Sequence, residues 1–145
     1  MSRNNLENLV RIGKLKPEPP SRDEIEGLVR SGRRRREDAA NASLNLESRF
    51  DLAYNAAHAL ALAALRYCGY RSENRYLVFQ CLVHTVDLPE QSWRVLDQAH
   101  RKRNLAEYEG DTEVDLALVE AMIRVAGEIE RRLVSHGITG DDIGP

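Results

Sequence analysis

Near the end of one helical stretch, His100, Arg103, Asn104, Glu107 and Tyr108 stand at positions i, i+3, i+4, i+7 and i+8. Helical spacing places these side chains on one face, where a core-facing stripe would be apolar. The types suit phosphate chemistry. A guanidinium can grip a phosphate through two parallel N–H donors, and an imidazole with an ordinary pKa of about 6.5 can move a proton at neutral pH, whereas a phenol at about 10 is a poor base. The alternative for the same residues is a solvated helix end closed by Gly110, its charges paired for solubility. Spacing alone names no reaction.

The chain that must position them has 145 residues, 42% hydrophobic and 30% charged, which suits one domain with a real core. A formal net charge of -2 and a pI near 6.1 argue against bulk capture of nucleic acid, so any contact with RNA must come from local patches. Cys68 and Cys81 fit no CxxC spacing and lie among apolar neighbours, which reads as reduced, buried thiols and gives no metal site. Neither a signal peptide nor an apolar run of the ~18 to 20 residues needed to span a membrane is visible, so the expectation is a cytoplasmic protein.

Hydrophobic periodicity predicts helices throughout and no strands. Residues 1–20 read as an N-terminal arm with at most one helical turn, ended by Pro17, Pro19 and Pro20, either packing on the bundle or on a second subunit or forming a mobile tail. Ser21-Arg22-Asp23-Glu24 has the form of a capping box and predicts a first helix running past the arginines at 33–36 to near Asn45. Those four arginines point all round a helix and read as solvated surface near Glu37 and Asp38. Ser48-Arg49-Phe50-Asp51 predicts a second helix to Gly69, alanine-rich on nearly every side and therefore central. Its polar edge carries Asp51, Asn55 and His58, either a satisfied hydrogen-bond network or an edge facing the His100–Tyr108 surface. A third helix is predicted from Ser72 to Val86, a fourth from the cap at Asp87-Leu88-Pro89-Glu90 with Trp93 in the core, and a fifth capped within Asp111–Asp115 and ended by Gly137. The whole reads as an all-α antiparallel bundle of four to five helices over residues 21–137, followed by a tail at 138–145.

The second helix, Ser-Arg-Phe-Asp-Leu-Ala-Tyr-Asn-Ala-Ala-His-Ala-Leu, with Cys68-Gly69-Tyr70 after it and Arg103-Asn104 near a later helix end, resembles the HEPN superfamily over roughly residues 22–136. The resemblance implies a four- or five-helix bundle, a homodimer, and an endoribonuclease motif of Arg, four to six residues, then His. It also implies a role as a toxin paired with a minimal nucleotidyltransferase antitoxin, or as an RNA-binding or processing module. Arg103 and Asn104 match the motif. Tyr108 stands five residues after Arg103, where many members have His. On this reading Arg103 meets the phosphate with Asn104, Tyr108 or His100 assists, and Arg101, Lys102 and Arg49 add contacts to RNA, with no metal or cofactor. Two other functions stay open: a non-catalytic RNA-binding or nucleotidyltransferase-partner module, and a structural helical dimer.

Overall fold

A computed structural model describes residues 2–109 and 114–138, with side chains over 4–105 and 114–138. The described chain is mostly helical: α1 (Ser2–Arg11), α2 (Arg22–Ala39), α3 (Leu46–Tyr67), α4 (Arg75–Gln80), α5 (Leu82–Thr85), α6 (Glu90–Glu109) and α7 (Leu116–Ser135), with two short strands, β1 (Lys16–Pro17) and β2 (Tyr70–Arg71). Helix α3 is central, as its alanines predict. It packs on α2, α7, α4, α5 and β2, while α6 lies against α7 and α4. Ala53, Ala56, Ala57, Leu60, Ala61, Ala63, Ala64 and Leu65 are all fully buried or nearly so. Small side chains on every face let neighbouring backbones approach, and the α2 approach is the closest. A Cβ on Gly32 would lie 2.6 Å from Leu60 Cγ and 3.2 Å from the Ala56 carbonyl oxygen.

The helix boundaries differ from the expectation in ways that have local causes. Helix α3 begins at Leu46, before Ser48, because the Asn45 side chain accepts the Ser48 N–H at 2.8 Å and is the cap; Ser48 lies in the first turn. Helix α2 correspondingly stops at Ala39 rather than near Asn45, and Asn41 folds back on Ser43 in the turn that follows. The predicted third helix is two short ones meeting at Cys81, with Asn74 capping the first. Asp87 does not cap α6: it sits at φ 57, a left-handed position that Asp tolerates better than most residues, and the helix starts at Glu90 behind Pro89. Helix α7 starts at Leu116 with Asp115 as its cap, accepting the Leu118 N–H at 2.8 Å. The expected cap residues 111–113, and the tail beyond 138, lie outside the described residues.

The N-terminal segment is more structured than an arm with one turn. Helix α1 has ten residues, and Leu6 and Leu15 join the same core as the other helices. Strand β1 pairs antiparallel with β2, Lys16 opposite Arg71 and Pro17 opposite Tyr70, a short ladder that no alternation in the sequence announces. Tyr70 donates its hydroxyl to Glu7 at 2.9 Å. The main fastening is Arg66, 1% exposed. It donates to Glu24 Oε1 at 2.7 Å and to the carbonyl oxygens of Pro19, Glu18 and Tyr70 at 2.7, 3.0 and 3.3 Å. Arg71 holds the other Glu24 oxygen and Glu18. Burial pushes the Glu24 carboxyl up, but the hydrogen bonds from Arg66 and Arg71 outweigh it and leave the group below the ordinary carboxylate range. Ser21 caps the helix by accepting the Glu24 N–H, so the capping box forms in one direction only. The carboxylate that would complete it is taken by the arginines.

Two stability measurements follow. A Gly-to-Ala change inside a helix ordinarily stabilises by about 1 kcal/mol. Gly27, where a new Cβ meets nothing within 4 Å, will show that gain. Gly32→Ala will instead destabilise by ~1 to 2 kcal/mol, because the methyl overpacks the α2–α3 contact; urea midpoints of the two variants should move in opposite directions. Arg66→Met will cost ~2 to 4 kcal/mol by the same assay, because it takes the donor from three carbonyls and leaves Glu24 with Arg71 alone. A loss no larger than that of a surface arginine such as Arg94 would show that the fastening is dispensable.

Candidate functional site

Helices α3, α4 and α6 bring one polar cluster together. Tyr54, Asn55 and His58 come from α3, Arg75, Tyr76 and Phe79 from α4, and Asp97, His100, Arg101, Arg103 and Asn104 from α6. At its centre is Tyr54, whose ring is fully buried. Its hydroxyl lies 3.0 Å from His100 Nδ1, and Asn104 Nδ2 lies 3.2 Å from His100 Nε2. A neutral imidazole protonated on Nδ1 satisfies both contacts, donating to Tyr54 and accepting from Asn104. The His100 ring is further wedged against Tyr76, with centroids 4.8 Å apart. The Tyr76 hydroxyl donates to Asp97 at 2.7 Å, and Arg101 meets the other Asp97 oxygen at 3.1 Å. The hydrogen bond from Tyr76, together with Arg101, holds the Asp97 carboxyl below the usual carboxylate range.

Two guanidinium groups share the Tyr54 ring. Arg103 Cζ stands 4.6 Å from its centroid and Arg75 Cζ 5.8 Å, within reach of cation–π attraction worth about 0.5 to 2 kcal/mol each. Arg75 also donates to Asn55 Oδ1 at 2.8 Å, and Asn55 donates to the Asp51 carbonyl. One turn along α3 from Tyr54, His58 sets its ring edge-on to Phe79 at 6.1 Å. Burial first, and then the positive charges of Arg75, Arg103 and Arg35, lower the His58 pKa from 6.5 to about 4. The ring is therefore neutral at pH 7, in a local positive field that belongs to a chain of net negative charge.

Most of the residues singled out in the sequence meet here. His100, Arg103 and Asn104 do so on one face of α6, and the α3 edge of Asn55 and His58 faces them. Asp51 offers its backbone carbonyl to Asn55 and is itself exposed. Arg101 is exposed and paired with Asp97, and Lys102 is half-buried at the margin. Arg49, expected at RNA, is elsewhere: it is buried, and its Nε donates to the Ala39 carbonyl at 2.8 Å, closing the C-terminus of α2. Tyr108 and Glu107 continue the α6 backbone, but their side chains lie outside the described residues. Tyr54, Arg75, Tyr76 and Asp97 were not anticipated. Tyr54 could have been, since it precedes His58 by four residues on the same polar edge; Arg75 and Tyr76 reach the cluster only through the turn that follows β2.

Other expectations resolve more simply. Trp93 is half-buried beside Tyr76 and lines a groove of about 370 Å³ with Phe79, Val83, His84 and Leu88, rather than filling the core. Arg33 and Arg36 both pair with Glu130 of α7, so part of the arginine run ties two helices together. Both cysteines are free thiols; Cys81 is buried, which pushes its thiol up to about 12, and Cys68 is half-buried. Among the described residues, no three His, Cys, Asp or Glu side chains are grouped to hold a metal ion, and no helix is long and apolar enough to cross a membrane. Comparison with known proteins finds no family model, no curated protein and no solved structure that matches the chain.

The His58 environment sets a pH dependence of stability. The folded state disfavours protonation, so it binds fewer protons than the unfolded chain between about 6.5 and about 4, and stability falls as the pH is lowered through that window. At pH 4.5 the contribution is on the order of 2 kcal/mol, allowing for partial exposure. His58→Asn should lose that much less stability than the wild type between pH 7 and pH 4.5 in urea titrations; equal losses would place the cause in the carboxylates.

Proposed function

We propose that the chain is an RNA-directed protein of the HEPN type and that the α3–α4–α6 cluster receives the ribose-phosphate backbone. What carries the reading is the convergence of Arg75 and Arg103 on the face of Tyr54, with Arg35 adding to the field at His58. A phosphodiester is the anion such a pair fits, because each guanidinium offers paired N–H donors and the aromatic face fixes the plane of each fork. The fold is compatible in being mostly helical with a central alanine-rich helix. A homodimer that brings two Arg103 faces together belongs to the same proposal, and exposed Leu105, two residues from Arg103, gives α6 an apolar position for it. A minimal nucleotidyltransferase is the proposed partner in that setting.

Metal-independent cleavage is the catalytic form of this proposal. The ribose 2′-oxygen loses its proton to a base and attacks phosphorus; the 5′-oxygen leaves with a proton, and a 2′,3′-cyclic phosphate remains. Arg103 would stabilise the charge that builds on the phosphorane. His100 supports the proton-transfer role because its neutral tautomer keeps a lone pair on Nε2, covered by a neutral amide that a substrate hydroxyl could replace. Tyr108 remains the alternative assistant from the motif position.

Binding of a fluorescent single-stranded oligoribonucleotide, followed by anisotropy in about 0.1 M salt, tests the reading. Arg75→Ala and Arg103→Ala should each weaken binding about tenfold or more and flatten the salt dependence by ~0.7 in log–log slope per phosphate contact removed. Arg94→Ala, whose side chain pairs with Glu90 at the far end of α6, is the control. Equal behaviour of all three variants would refute the assignment. In the cleaving form, His100→Ala should abolish production of the cyclic phosphate while leaving Arg103-dependent binding within a few fold.

A further inference from the structure

Two turns of α6 before His100, the polar cluster gives way to the groove of about 370 Å³ beside Trp93. Its volume falls in the range of sites for small ligands, roughly 300 to 1,000 Å³. Buried Phe79 and Leu88 meet the exposed Val83 and the half-buried Trp93 indole there. The polar groups at its edge are largely unengaged. Among the described residues the Gln80 amide makes no hydrogen bond, so it keeps two donors and an acceptor. His84 turns Nδ1 to the Asn5 amide nitrogen at 3.3 Å, and a ring that accepts there carries its proton on Nε2 as a donor. Glu90 adds an exposed carboxylate, shared with Arg94 one turn along. The groove is continuous with the cluster. Trp93 and His100 are seven residues apart on one face of α6, about 10 Å along its axis. The Tyr76 ring fills the interval, its centroid 5.4 Å from that of Trp93 and 4.8 Å from that of His100.

We propose that this groove receives a nucleobase of the strand whose backbone lies at the cluster, stacked on Trp93 and held at its edge by Gln80, His84 and Glu90. This rests on the reading of the cluster as a phosphodiester site and deepens it. A base is a flat π surface with hydrogen-bond donors and acceptors around its rim. The indole and the apolar lining suit the face, and the amide, the imidazole N–H and the carboxylate suit the rim. An aliphatic ligand would leave those three groups covered and unpaired, at a cost. The backbone between base and phosphate crosses Tyr76. A base reaches the groove only when it is out of its stack, so the ligand is a single strand, and a duplex with its bases paired is excluded. Affinity then has two parts: a salt-dependent one from the phosphates and a stacking one that salt leaves alone.

Trp93 is the single tryptophan of the chain, so its fluorescence reports on this groove in the unaltered protein. Titration with a short single-stranded oligoribonucleotide should quench it in parallel with the anisotropy change. A strand of the same length with every base removed should bind more weakly and leave the emission as it was. Trp93→Leu should weaken binding of the natural strand about five- to a hundredfold. It should keep the wild-type salt slope, since no phosphate contact is lost, and bind the base-free strand as the wild type does. Gln80→Ala, at an exposed position, is a second variant that does not depend on the core tolerating a smaller residue, and should weaken binding about two- to tenfold. A nucleoside monophosphate should quench only at much higher concentration than the strand; equal potency would make the groove a pocket for free nucleotide and overturn the proposal. Strand binding that needs Arg75 and Arg103, with no quenching and equal affinity for the base-free strand, overturns the groove and leaves the RNA reading standing. Absence of any binding dependent on Arg75 and Arg103 overturns both.

Discussion

The Arg66 guanidinium is the interaction on which the N-terminal third of the fold depends. The segment Glu18-Pro19-Pro20 cannot satisfy its own backbone, since two of its residues have no N–H and it continues neither strand nor helix. Its carbonyls need donors from outside, and Arg66, on the last turn of α3, supplies them. Removing a guanidinium from water costs several kcal/mol unless its donors are taken up. Here Glu24 and three carbonyls take them up, so the same contacts that make burial tolerable also fix where α1, β1 and the start of α2 lie relative to α3. Arg71 repeats the arrangement nearer the surface.

Helix α3 therefore has two specialised ends separated by small residues. Its last turn anchors the N-terminal segment, and its first half carries the edge of Tyr54, Asn55 and His58. Between and around them alanines admit α2 and α7 so closely that a methyl on Gly32 would collide with Leu60. Close packing of this kind leaves little freedom for α3 to slide or rotate. The consequence for the site is that Tyr54 is a fixed platform: its ring is held in the core, and the long side chains of Arg75 and Arg103 reach it from α4 and α6.

What the sequence made legible follows from how far each signal reaches. The helical class, the central α3 and the shared face of His100, Arg103 and Asn104 are periodicities within one element, and periodicity reads them directly. The boundaries are less legible because caps compete. Asn45 and Ser48 are both good caps, and the first of them prevails because its side chain reaches the Ser48 N–H. Asp87 looked like a cap and instead turns left-handed, its carbonyl and that of Val86 accepting from Arg132 of α7, a tertiary contact invisible along the chain. Arg49 reads as a surface cation beside a helix start, yet the end of α2 lies over it and draws it inward. The partners of His100 were legible on α6 and hidden elsewhere, since Tyr54 and Tyr76 come from other helices and look like core aromatics in isolation.

The net charge of -2 misleads about the cluster for a reason the structure makes concrete. Many of the carboxylates that make the chain acidic are bound to arginines away from it: Glu18 and Glu24 to Arg66 and Arg71, Glu128 to Arg132, and Glu130 to Arg33 and Arg36. Within the cluster, Asp97 is engaged by Tyr76 and Arg101. Charge averaged over the molecule is then a poor guide, because paired carboxylates cancel at short range while the field at His58 is set by the three arginines around it. His58 answers to both influences: burial first, and then the three arginines, keep its imidazole neutral.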